Sequence, residues 1–114
     1  MESDFKLTSE LHDDVLVMHT VGYVNNEGGE RIAEEFSKYF AEGCTKVVID
    51  LEQSKVVNSI GISFLLEVIE QLNEKDGRLV FTNLDPAIEK SLTIMGLFNY
   101  AGKQATVADA LKTF

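Results

Sequence analysis

The chain has little of what staples, interrupts or anchors a fold. Cys44 is its only cysteine and Pro86 its only proline. One cysteine excludes an intramolecular disulfide and a multi-cysteine metal site, so Cys44 reads as a small, half-buried apolar residue. With one proline, no serine- or glycine-rich stretch and no internal repeat, nothing marks a linker, and residues 1–114 are expected to form one domain. No segment approaches the ~20 consecutive apolar residues of a membrane span. Met1-Glu2-Ser3-Asp4 carries acid where a secretory leader carries base. No membrane insertion and a cytoplasmic location are therefore expected.

Basic residues are scarce as well. Ten Lys and Arg stand against nineteen Asp and Glu, for a formal net charge of −9. That field opposes nucleic acid and anionic membrane surfaces. It suits a protein partner with a basic face.

The constellations of enzymes are missing too. There is no glycine-rich phosphate loop of either common pattern, and Gly28-Gly29 reads as part of a turn. His12 and His19 fall in an expected hairpin, with no carboxylate at metal-ligand spacing. Gly61-Ile62-Ser63-Phe64-Leu65 lacks the second glycine of a nucleophile elbow. No base is visible beside any serine. Catalytic residues, metal and cofactor are all expected to be absent, and the chain is not read as an enzyme.

What is present is an ordinary globular composition, 45% hydrophobic and 25% charged, which argues against disorder. Phe5–Thr8 and Val15–Val21 alternate apolar and polar residues around the turn His12-Asp13-Asp14, which predicts an opening β-hairpin. Gly22 to Gly29 breaks that pattern. A first helix is expected from Glu30 to Glu42, with Ile32, Phe36 and Phe40 on one stripe and Gly43 as its stop. Lys46–Leu51 is a short β-branched run suited to a strand covered on both faces.

A second helix is expected near Ser59 to Glu74, with Ser63, Glu67, Gln71 and Glu74 on a narrow polar stripe. Arg78–Thr82 reads as a strand. Asp85-Pro86 opens a helix that Gly96 ends, with Ile88, Leu92 and Met95 facing inward. Leu97-Phe98 reads as a short last strand, and Thr106 to Asp109 resembles a capping box for a final helix. The order predicts an α/β domain with a mixed, mostly parallel sheet, an N-terminal hairpin and about four helices.

The most informative stretch runs from Val47 to Gly61: a buried strand ends, a short loop follows, and a serine opens a helix. On its residues alone Ser59 reads as the helix N-cap. Gly61, early in a densely apolar helix, implies a close approach by backbone or by a partner.

Asp50-Leu51, Val56-Val57, Ser59 and Gly61 match in register the signature of STAS domains. This family comprises bacterial anti-sigma-factor antagonists and the cytoplasmic tails of sulfate transporters. Gly22-Tyr23-Val24-Asn25 and Met95-Gly96-Leu97-Phe98 resemble further family segments, so the likeness spans nearly the whole chain. It implies a STAS-like single domain with Ser59 as phosphoacceptor and Asn58, Ile60, Gly61, Asn25 and Tyr23 as the partner surface. Its implied partners are an anti-sigma factor that is also a serine kinase, and a protein phosphatase, met by a monomer or weak dimer. The alternative it leaves open is a constitutive interaction subunit of a membrane transport or signalling complex, without phosphorylation. Asn58 and Asn25 stand where the family has Asp, which keeps hydrogen bonding but removes charge.

Overall fold

The computed structural model describes residues 4–114; Met1, Glu2 and Ser3, which bear on the expected lack of a leader, lie outside them. The elements are β1 (Lys6–His12), β2 (Val15–Val21), α1 (Asn26–Phe40), β3 (Lys46–Gln53), α2 (Ser59–Glu74), β4 (Arg78–Thr82), α3 (Pro86–Ile94), a 3-10 turn (Leu97–Asn99), β5 (Gly102–Gln104) and α4 (Val107–Leu111). The five strands lie in sequence order across one sheet. β1 and β2 pair antiparallel, and every later neighbour pair is parallel. β3 and β4 are parallel neighbours, in line with the mostly parallel sheet expected, and the hairpin belongs to the same sheet.

Strand alternation divides the core between the two faces. Leu16, Met18, Val47, Ile49, Leu51, Leu79 and Phe81 point toward Ile32 and Phe36 of α1, Leu65 and Val68 of α2, and Ile88 and Leu92 of α3. On the other face Val15, Val17, Val48 and Val80 meet Ala110, with Val107, Leu111 and Phe114 of the α4 region packed beside them. Larger side chains therefore fill the three-helix face, and valines suit the short helix that covers the other. β3 is buried on both faces, as its unbroken apolar run implied.

Several expectations need correction. α1 begins at Asn26 rather than Glu30 and ends at Phe40. Gly28 and Gly29 are thus helical, not a turn, and neither has room for a side chain: Gly28 lies against the Phe5 ring and the Tyr23 carbonyl, and Gly29 lies where α1 and α2 cross. A Cβ on Gly29 would lie 3.0 Å from the Gly61 Cα and 2.9 Å from the Phe64 ring. β1 extends through His12, and the turn is made by Asp13, at φ 56°, with Asp14. Leu97-Phe98 is not a strand: Gly96 adopts φ 82°, Leu97 drops into the core, and the last strand comes later. Gly102-Lys103-Gln104 has little intrinsic strand preference, and pairing with Val80–Thr82 makes it one. Met95, expected to face inward, is exposed just past the end of α3, and Leu97 occupies the buried position instead.

The loops after β2 and β3 run side by side as a continuation of the sheet. Gly22 N–H donates to the Gln53 carbonyl (3.0 Å), Val24 N–H to Val56 (3.0 Å), and Asn58 N–H to Val24 (3.1 Å). Val24 and Val57 form an isolated parallel bridge. The carbonyl of Val24 presses on Gly61 so closely that a Cβ there would lie 2.2 Å from its oxygen. The close approach implied by Gly61 is therefore made by backbone, and Gly61 is buried.

Two outcomes follow for stability. Gly61→Ala is expected to cost ~1–3 kcal/mol as an overpacking change, because the atom it strikes is backbone that cannot rotate away. Phe36→Ala is expected to cost about 3–5 kcal/mol, Phe36 being wholly buried, and half-buried Phe40→Ala clearly less. Denaturant unfolding of the three variants against the native chain measures both.

Candidate functional site

Two helices start next to each other at the paired loops. Asn25 caps α1, its Oδ1 accepting from Gly28 N–H at 3.0 Å. Asn58 caps α2, its Oδ1 accepting from Gly61 N–H at 2.7 Å. The Asn58 Nδ2 then donates to Asn26 Oδ1 at 3.3 Å, linking the two helix starts. Ser59 is accordingly not the N-cap expected from its residue type, but the first residue of α2. The cap falls one residue earlier because Asn58 is held extended, at φ −117° and ψ 173°, by its bond to the Val24 carbonyl.

This displacement frees the Ser59 hydroxyl. Ser59 is exposed and makes no side-chain hydrogen bond to any described residue. Its neighbours differ. Ser54 is wholly buried, with its hydroxyl 2.7 Å from that of Thr20. Ser63 is exposed but donates to the Ile60 carbonyl at 2.7 Å.

Exposed apolar side chains are carried by the same paired loops and helix start. Tyr23, Val56 and Ile60 are 45%, 51% and 46% exposed, although each is large and apolar enough to belong in a core. Backbone pairing of Val24 with Val56 places Tyr23 beside the second loop, and Ile60 follows Ser59 directly. Of the predicted partner residues, the structure brings together Tyr23, Asn25, Asn58 and Ile60; Gly61 lies beneath them, against Val24. Sequence reasoning missed Asn26 and the exposure of Val56. The Asn25-Asn26 pair was a visible hint of the first, whereas the outward turn of Val56 depends on the register of the loop bridge.

Electrostatically the site is a helix terminus without formal charge on its caps. The positive end of the α2 dipole lies there, and no acidic residue occupies that first turn. No described His, Asp or Glu hydrogen-bonds Ser59. Among the described residues no group of three His, Cys, Asp or Glu is arranged to hold a metal ion. No described helix is long and apolar enough to cross a membrane. Cys44 is half-buried as expected, its thiol 3.5 Å from the Lys46 carbonyl.

Comparison with known proteins identifies the family and the fold. The model of the STAS domain family matches residues 6–110. BtrV of Bordetella bronchiseptica, a protein named as an anti-sigma factor antagonist, is 31% identical over 95% of this chain and 96% of its own length. An anti-sigma factor antagonist from Mycobacterium paratuberculosis has the same fold, with a TM-score of 0.84 at 23% identity over 96% of this chain and 93% of that one. The Bacillus protein SpoIIAA in its phosphorylated form matches with a TM-score of 0.76 at 21% identity over 95% and 98%. Anti-sigma factor antagonists of this family are binding proteins rather than enzymes. The chain belongs to the STAS domain family.

Proposed function

We propose that this chain is a cytoplasmic anti-sigma factor antagonist switched by phosphorylation at Ser59. Unphosphorylated, it sequesters an anti-sigma factor that is also a serine kinase. Phosphorylated, it releases that partner, and a protein phosphatase resets it. One observation carries the reading: of Ser54, Ser59 and Ser63, Ser59 alone offers an exposed, unbonded hydroxyl, and it sits among the exposed side chains of Tyr23, Val56 and Ile60.

The chemistry divides between the two proteins. This chain supplies a positioned hydroxyl, and the kinase supplies nucleotide, metal and the group that takes the serine proton. The phosphate adds about −1.5 to −2 charge at neutral pH. At the start of α2 the helix favours that charge by up to ~1 kcal/mol, and the asparagine caps place no like charge beside it. The fold therefore tolerates the modification. A partner packed on the apolar rim does not, because a dianion must then be buried where a neutral hydroxyl was accepted. Tyr23, Val56 and Ile60 supply the contact area, while Gly61 and the asparagine caps hold it in place. The net charge of −9 favours a partner with a basic rim.

Incubation with the kinase partner and magnesium ATP is expected to add one phosphate at Ser59, read by intact mass and peptide mapping. Ser59→Ala abolishes the addition but keeps binding, and Ser59→Asp weakens binding. Tight binding with no gain in mass would leave a constitutive interaction module, and phosphate on Ser54 or Ser63 would reassign the site.

A second measurement tests the surface itself. Ile60→Asp is expected to weaken binding about tenfold or more, equivalent to ~1.4 kcal/mol. Its melting temperature should stay near that of the native chain, since Ile60 is outside the core. Unchanged affinity in calorimetry would remove the apolar rim from the contact.

A further inference from the structure

The carboxyl end of the sheet carries a polar cluster that the partner surface does not use. Asp50 is buried on the face that α4 covers in part, and donors from two neighbouring strands meet its carboxylate. Thr82 Oγ1 and Asn83 Nδ2 donate to Oδ1, at 3.1 and 2.7 Å. Its other oxygen, Oδ2, accepts from His19 Nδ1 at 2.8 Å. The far nitrogen of the same ring, Nε2, lies 3.4 Å from Glu10 Oε1 on β1, which is also 2.8 Å from His12 Nε2. Among the described residues no Lys or Arg pairs with Asp50 or Glu10. The basic side chains that meet these carboxylates are histidines.

We propose that His19 is a proton-dependent clasp, tying the edge strand β1 to β3 through Glu10 and Asp50. An imidazolium donates from both nitrogens and satisfies both carboxylates at once. A neutral imidazole donates from one. The short bond to buried Asp50 keeps that proton, because losing it would strand a desolvated carboxylate oxygen. The Nε2 lone pair then faces the Glu10 carboxylate, and the link to β1 is lost. β1 has β2 as its sole strand neighbour in the sheet, so it has no second ladder to hold it.

The titratable groups bonded to the ring are Glu10 from β1 and Asp50 from β3, and His12 of β1 shares Glu10. β4 contributes the neutral donors Thr82 and Asn83, and neither Asp109 nor Lys112 of the α4 region pairs with the ring. Partial burial pulls the His19 pKa down, but the hydrogen bonds to Asp50 and Glu10 more than offset it and leave it above the ordinary histidine value. The sign follows from linkage. A pKa raised on folding gives stability that is fully present below the unfolded value, about 6.5, and is lost as pH rises through the native one.

The test uses the whole chain, with imidazole titrations and amide exchange of β1 followed by NMR across the same pH range. His19 is expected to titrate above an ordinary histidine, and Glu10→Gln to lower its titration point. Protection of the β1 amides, corrected for intrinsic exchange, should fall several-fold as His19 deprotonates. In His19→Gln it should be low and independent of pH, whereas His12→Gln should keep the transition. Glu10 is exposed, so Glu10→Gln decides the matter without endangering the fold. A His19 titration unmoved by that change, or β1 protection that is flat across pH in the native chain, would overturn the proposal.

Discussion

The contact between the Val24 carbonyl and Gly61 is the constraint on which the rest of the site depends. One peptide segment accepts the Asn58 amide, donates to the Val56 carbonyl and presses against the first turn of α2. Backbone meeting backbone at that distance leaves no room for a Cβ on α2. It also sets the register of the two loops, because sliding either by one residue would break the hydrogen bonds and move a side chain into the contact. Gly29 repeats the device one turn into α1, so both helices leave the sheet close together. The hydroxyl of Ser59 is thereby presented by paired loops and two helix starts, not by a free segment.

Charge and exposure at the same place complement that rigidity. Asparagine at both caps satisfies a first-turn amide without adding charge, and α2, unlike α1 with Glu27, has no acidic residue in its first turn to neutralise its positive terminus. Tyr23, Val56 and Ile60, on the same loops and helix start, are exposed, which is the composition of exposed apolar side chains beside a polar group on which the proposed partner surface rests. On the proposed reading, a single charge placed at Ser59 changes what can dock there while leaving the core behind it untouched.

The two ends and two faces of the sheet have different tasks. Large apolar side chains under α1, α2 and α3 supply most of the buried surface, and four valines under α4 close the other side. Beyond α4 that second face turns polar, and Asp50 gathers donors from β2, β4 and the residue after β4. In the sequence Asp50 was legible only as part of a motif. Its physical task is to satisfy donors on its neighbours where the strands end, with His19 relaying the contact to β1.

Patterns carried by contiguous residues were legible without any structure. The β-branched run of β3, the apolar circumference of α2 between Ser59 and Glu74, and the Thr106 cap, which accepts from Asp109 N–H at 3.1 Å, are local properties of the chain. So is the order of elements, and with it the mostly parallel sheet. Tertiary structure decided what local preference leaves degenerate. Asn and Ser are nearly equal as caps, and the bond from Asn58 to Val24 chose between them. Glycine is the poorest ordinary helix former, yet Gly28 and Gly29 are helical, Gly28 packed against Phe5 and the Tyr23 carbonyl and Gly29 against Gly61. Gly102–Gln104 outranks the more apolar Leu97-Phe98 as a strand, since a free edge of β4 awaits it and the core takes Leu97. In each case the sequence sets the local options, and a partner distant along the chain selects one through a hydrogen bond or a contact that no local window contains.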